Sequence, residues 1–175
     1  MTSHNNSANE AAFTSLYREH YSAVRAYASV CVPHSEIDDI VADVFVVCWR
    51  RFRDVPSDWA RGWLIGVTRN VVRARNRSAR RSEGFIDHLI RLRPPNWVED
   101  YHMANEEVRQ LNEAFSKLSL GDQELLLLAG PHELSVGDLA IAFGIKPGAV
   151  KVRVHRARQR LRNAVAVLDA GGEVA

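Results

Sequence analysis

The sequence predicts an all-α protein made of two small helical domains joined by a flexible linker. Three observations carry this expectation. Apolar residues recur at the three-and-four spacing of a helix face in nearly every segment, and strand-like alternation competes nowhere. A stretch with Gly84, Pro94, Pro95 and mixed charges interrupts the helical pattern near mid-chain. The 175 residues suffice for one ordinary domain or two small ones.

Residues 1–9 are polar and read as a disordered tail. A first helix is expected over residues 10–30, with Phe13, Leu16, Tyr17, Tyr21, Val24, Tyr27 and Ala28 on one face. Pro33 ends it. Ser35 and Asp38 have capping-box spacing and should open the second helix. Its stripe is Ile37, Ile40, Val41, Val44, Phe45, Cys48, Trp49 and Phe52, which leaves Asp38, Asp39 and Asp43 exposed. After a turn at Pro56, Ser57 or Asp58 should cap a third helix. That helix carries Trp59, Trp63, Leu64, Val67 and Val71 and ends in Arg69, Arg73, Arg75, Arg77, Arg80 and Arg81. Trp49 and Trp63 read as core and Trp59 as partly exposed.

Residues 10–81 thus form the first domain and residues 82–103 the linker, which has room for a helical turn or two in its apolar run at 85–92. The second domain, residues 104–168, should hold helices near 104–118, 120–129, 136–143 and 147–168, followed by a short tail at 169–175.

The net charge of +2 says little about partners, but its distribution says more. Between residues 50 and 81 the many arginines meet only Asp54 and Asp58, and between 146 and 162 there are lysines and arginines but no acid. Two separated basic blocks suit two contacts with a polyanion, because neutralising phosphates takes clustered cations. Two solvated helix faces are the plainer alternative. Cys31 and Cys48 lack metal or redox spacing and read as buried free thiols of a reducing compartment. No segment has the apolar length of a membrane span or of a signal-peptide core, so direct membrane insertion is not expected and the cytoplasm is. No catalytic constellation, metal site, P-loop or dinucleotide motif appears, so neither an enzyme activity nor a cofactor is expected.

The most specific local pattern lies at residues 134–161. Ser135 and Asp138 have capping-box spacing and open a short helix with Leu139, Ala140 and Phe143. Gly144 suits the left-handed turn, Ile145 the apolar corner, and Pro147 the first turn of the next helix. That helix buries Val150, Val154, Ala157 and Leu161 and leaves Lys151, His155, Arg156 and Arg158 outside. This is a helix-turn-helix whose second helix is built to enter a major groove. A basic surface helix of an ordinary bundle is the alternative.

Ile37-Asp38-Asp39-Ile40-Val41-Ala42-Asp43-Val44-Phe45, followed by Trp49, resembles the AEDLVQEVF segment of extracytoplasmic-function sigma factors, the minimal members of the sigma-70 family. Trp63-Leu64-Ile65-Gly66-Val67-Thr68-Arg69-Asn70 resembles their WL-x-x-I-A-R-N segment, and residues 148–158 resemble GTVKSRLHRAR. The resemblance covers residues 12–168 and implies a bacterial transcription initiation subunit. Its region 2 would bind the clamp helices of core RNA polymerase and the −10 element. Its region 4 would bind the polymerase flap and the −35 element of promoter DNA, and an anti-sigma factor would commonly control it.

Carried over by position, Asp38, Asp39, Asp43 and Phe45 fall in the polymerase-docking helix. Asn70 falls at a −10 base-recognition position, beside Arg69, Arg73, Arg77 and Arg80 as backbone contacts. Lys146, Lys151, Val152, His155, Arg156 and Arg158 fall on the −35 side. Ordinary burial preference puts Phe45 in the core instead, and Asn70 alone could be a surface or capping residue. Departures from the family pattern are Ala42 for Gln, Ala149 for Thr, Val152 for Ser, and Ser119 and Gln123 for Pro and Arg. A stand-alone helix-turn-helix regulator that binds duplex DNA without polymerase is the alternative function.

Overall fold

The computed structural model describes residues 2–82, 106–130 and 134–172, and the side chains of residues 9–77, 108–130 and 134–168. Seven α-helices follow in order among the described residues: α1 (Thr2–Cys31), α2 (Ile37–Arg50), α3 (Ala60–Ser82), α4 (Glu106–Ser116), α5 (Leu120–Ala129), α6 (Val136–Phe143) and α7 (Pro147–Gly172). Single 3-10 turns at His34–Glu36, Phe52–Asp54 and Ser57–Trp59 join the first three helices. The linker expected at residues 82–103 lies outside the described residues, apart from Ser82 at the end of α3.

Several ends differ from expectation. α1 begins at Thr2, so residues 2–9, expected as a tail, are helical. They contain neither Pro nor Gly, and once a helix is nucleated it propagates at little cost. α7 likewise runs past Leu168 to Gly172. The Ser35–Asp38 capping box does not form. Pro33 is extended at φ −56°, ψ 151° and feeds straight into a 3-10 turn that contains Ser35, which leaves Glu36 at the N-cap of α2 without a side-chain bond. The Asp38 carboxylate pairs with Arg25 of α1 instead. Ser57 and Asp58 also lie inside a 3-10 turn rather than capping α3.

The caps of the second half form as their spacing predicts. Ser135 Oγ accepts from the Asp138 N–H at 3.1 Å, and Asp138 Oδ2 accepts from the Ser135 N–H at 3.3 Å. Gly144 sits at φ 64°, where a side chain would be strained. Ser119, which the sequence reading did not single out as a cap, also caps α5 by accepting from the Asp122 N–H at 3.2 Å.

Two buried clusters hold the chain together. The first gathers Val24, Ala28, Ile40, Val41, Val44, Phe45, Cys48 and Leu64 from α1, α2 and α3. The second gathers Leu125, Leu128, Leu134, Leu139, Ala140, Ala142 and Val150, and it also takes Tyr27 from α1 and Ile65 from α3. Tyr27 is 2% and Ile65 1% exposed, and both are buried in this cluster, made mostly of residues from the second half. Burial of a large apolar side chain stabilises by about 1.5–3 kcal/mol.

The contact between halves centres on α3 against α6. Gly62 and Gly66, one helical turn apart on α3, lie against Asp138 and Ala142, one turn apart on α6. A Cβ on Gly62 would come within 2.5 Å of the Asp138 Cα, and one on Gly66 within 3.2 Å of the Ala142 Cα. Glycine is what lets the two backbones approach this closely. From the other side, a Cβ on Gly137 would strike the Trp59 ring at 2.1 Å.

Candidate nucleic-acid interface

The second helix of the helix-turn-helix presents the face its sequence predicts. Val150 and Ala157 are fully buried, and Val154 and Leu161 partly so. Lys146, Lys151, Val152, His155, Arg156 and Arg158 are all exposed. Val152 is 48% exposed, an apolar side chain set among donors. The orientation of α7 is fixed from both ends. The Leu139, Ala140 and Val150 contacts hold its start, and Arg160 pairs with Asp122 of α5 at 2.7 Å farther along. A basic face held this way can offer hydrogen bonds to base edges and charge to phosphates.

The arginine-rich end of α3 is less uniform than its sequence suggests. Asn70, Arg73 and Arg77 follow one another at helical spacing and are exposed. Arg75 instead turns back to α2, with Glu36 at 3.1 Å and Asp39 at 3.2 Å. Arg69 is turned inward. It pairs with Glu124 of α5 at 2.7 Å, and its guanidinium lies over the Phe143 ring at 4.2 Å. Arg73 reaches the other Glu124 oxygen at 3.5 Å. The backbone at Arg80 is helical, and its side chain lies outside the described residues.

The Glu124 carboxylate also accepts from the Tyr27 hydroxyl at 2.5 Å. Burial pushes that hydroxyl well above its usual range, with Cys31 and Glu124 adding to the effect, so it donates as a neutral phenol. One carboxylate of the second half therefore holds three residues of the first. Sequence reasoning singled out neither Glu124 nor the Gly62–Gly66 pair. The one available hint was two glycines four apart inside a helix.

The acidic face of α2 is partly self-satisfied. Asp38 is paired with Arg25 and Asp39 with Arg75, although both carboxylates stay largely exposed, and Asp43 is exposed as well. Such exposed pairs contribute little to stability and separate readily. Phe45 is only 5% exposed, packed against Phe13 and Tyr17, so it supports this helix from inside. Trp49, expected in the core, is 43% exposed with its ring edge-on to Phe13 at 5.0 Å. The apolar side chains open to contact around α2 are Val46, Trp49 and Tyr17.

Comparison with known proteins bears on what these faces are for. A family model described as sigma-70 region 2 matches residues 16–82, and one described as sigma-70 region 4 matches residues 109–161. The chain is 30% identical to the RNA polymerase sigma factor NccH of Alcaligenes xylosoxydans xylosoxydans, over 86% of this chain and 84% of that one. This chain belongs to the extracytoplasmic-function group of the sigma-70 family. Another relative of this sigma factor is CnrH of Cupriavidus metallidurans, 30% identical over 95% of this chain and 92% of that one. The solved structure of CnrH with the cytosolic domain of CnrY superposes with a TM-score of 0.61 at 28% identity, over 94% of this chain and 92% of that one. The fold is shared further with the sigma factor RpoE of Bartonella quintana, solved with the anti-sigma factor NepR. There the TM-score is 0.60 at 23% identity, over 89% of this chain and 97% of that one.

In this sigma factor two departures from the family pattern have visible structural work. Ser119 supplies the cap of α5. The Gln123 amide donates to the carbonyls of Phe115, at 3.0 Å, and Leu118, at 3.0 Å, satisfying the end of α4. Val152, where the family pattern has Ser, is exposed and cannot donate a hydrogen bond.

Proposed function

We propose that this sigma factor binds core RNA polymerase and directs initiation at promoters whose −10 element meets region 2 and whose −35 element meets region 4. The observation that carries the reading is a pair of basic surfaces in one chain. One is the exposed face of α7, and the other is the Asn70–Arg73–Arg77 stripe of α3.

Lys151, His155 and Arg156 read bases in the −35 major groove, with Val152 making apolar contact, while Lys146 and Arg158 hold phosphates. Asn70 binds a −10 base that has left the stack, and Arg69, Arg73, Arg77 and Arg80 hold the single-stranded backbone. Asp38, Asp39 and Asp43 meet the basic clamp helices of the polymerase and set orientation and on-rate. Phe45 holds their helix in place.

Region 2 spans residues 10–81 and region 4 residues 104–168, and the connecting residues 82–103 allow the two to bind separated elements. The chain works in the bacterial cytoplasm and performs no chemistry of its own, which belongs to the polymerase. Two structures of similar sigma factors, CnrH with the cytosolic domain of CnrY and RpoE with the anti-sigma factor NepR, support control by an anti-sigma factor.

Gel-shift assays with and without core polymerase separate this reading from a stand-alone regulator. The sigma reading expects weak promoter binding by the chain alone and specific binding with core. Equal, specific binding without core would favour the regulator.

A further inference from the structure

We propose that Glu124 latches this sigma factor in a self-inhibited closed form, by occupying the region 2 arginines that otherwise hold the −10 strand. The inference rests on the reading that Arg69 and Arg73 are strand contacts.

Three observations converge on it. The Glu124 carboxylate is 17% exposed and engages Tyr27, Arg69 and Arg73, all from region 2. A largely dehydrated charge pair is weakly screened, and a guanidinium held this way cannot also hold a phosphate. Around the latch the two regions fit without side chains in the way. The Gly62 N–H donates to Asp138 Oδ1 at 3.0 Å, and Gly62, Gly66 and Gly137 each sit where a Cβ would meet the other region at 3.2 Å or less. Tyr27 and Ile65 complete a cluster otherwise made by region 4.

The −35 reading face stays outside this contact: Lys151, Val152, His155 and Arg156 are exposed in the closed form. Closure therefore silences the two regions unequally. Arg69 is withdrawn and the half-exposed Arg73 is tethered at 3.5 Å, while the −35 face of α7 remains presented. Opening trades one carboxylate for phosphates, so a polyanion on α3 and the closed form exclude each other.

The latch can be opened in two chemically independent ways in the full-length chain. Glu124→Gln removes the charge. Gly62→Ala places a methyl group against the Asp138 backbone, while alanine is the better helix former in α3 itself. Small-angle scattering reads compaction, and fluorescence anisotropy reads binding of a mixed-sequence single-stranded DNA oligonucleotide. Both variants are expected to keep their helical circular dichroism, expand, and bind the oligonucleotide about fivefold or more tightly than the parent, the lower end of ordinary coupling between sites.

An unchanged radius of gyration in both variants overturns the latch. A gain confined to Glu124→Gln reduces the effect to net charge and also overturns it, as does expansion without any gain in DNA binding. None of these readouts uses polymerase or a promoter. A chain that opens as expected but never starts transcripts would therefore count against the proposed function and not against the latch.

Discussion

The Asp138 carboxylate accepts a hydrogen bond from the backbone N–H of Gly62 at 3.0 Å while its other oxygen serves the Ser135 cap of its own helix. Gly62 lies in the first turn of α3, where backbone N–H groups have no partner within the helix. One side chain of the helix-turn-helix thus caps α6 and, across the junction, α3. Asp138→Ala removes both bonds and the one that the Ser135 hydroxyl donates to the same carboxylate at 2.7 Å. A lost cap costs about 1 kcal/mol, and here a second unsatisfied donor adds to it. Urea unfolding should show a lower midpoint for Asp138→Ala, with Ser135→Ala affected less. Equal losses would mean that the bond to Gly62 contributes nothing.

Gly144 holds the turn between α6 and α7 at φ 64°, with open space where a Cβ would project. The cost of a side chain there is therefore backbone strain alone, about 1–2 kcal/mol for alanine. Gly144→Asn should cost less than Gly144→Ala, because asparagine tolerates the left-handed region. Denaturation midpoints of the two variants check the order.

The face of α7 makes a prediction about specificity. Lys151→Ala, His155→Ala and Arg156→Ala should each cost about 1–3 kcal/mol in promoter binding by the polymerase complex and relax preference at one −35 position. Lys146→Ala should weaken all promoters alike and reduce the salt dependence. Selection from a randomised −35 library separates the two behaviours. Uniform loss in all four variants would make every one of them a phosphate contact.

Both cysteines are held protonated by burial. The Cys48 thiol is pushed up to about 11 and the Cys31 thiol to about 12 from an ordinary 9.0. At pH 8 the folded chain should resist iodoacetamide at both positions and react fully in urea, since the thiolate is the nucleophile. The same shifts act on stability. Above pH 9 the unfolded chain releases these protons and the folded chain keeps them, so stability falls as pH rises from 9 towards 11–12 and is unaffected by these groups below 9. Urea midpoints measured across that range check the sign.

The parts legible in the sequence are those set by local chemistry. Ser135, Asp138, Gly144 and Pro147 lie within one short stretch, and each acts on backbone a few residues away, so their spacing alone predicts the helix-turn-helix. Ser35 and Asp38 have the same capping spacing and fail, because Pro33 sends the chain into a 3-10 turn and Arg25, from another helix, claims the aspartate. Trp49 fits the apolar period of α2 but lies at the edge of the buried face, where only the position of Phe13 decides its exposure. The Arg69–Glu124 pair joins residues 55 apart and depends on how the two regions dock, which no local pattern encodes. Arg69 is therefore legible as a cation of the arginine-rich end of α3, and its pairing with Glu124 is not.

Run-off transcription with purified core polymerase over a promoter library tests the sigma-factor assignment most directly. The full-length chain should start transcripts at discrete sites sharing a −35 and a −10 element, and Asn70→Ala should lose initiation while keeping core binding. A chain that fails to bind core, or that never yields discrete starts, would contradict it.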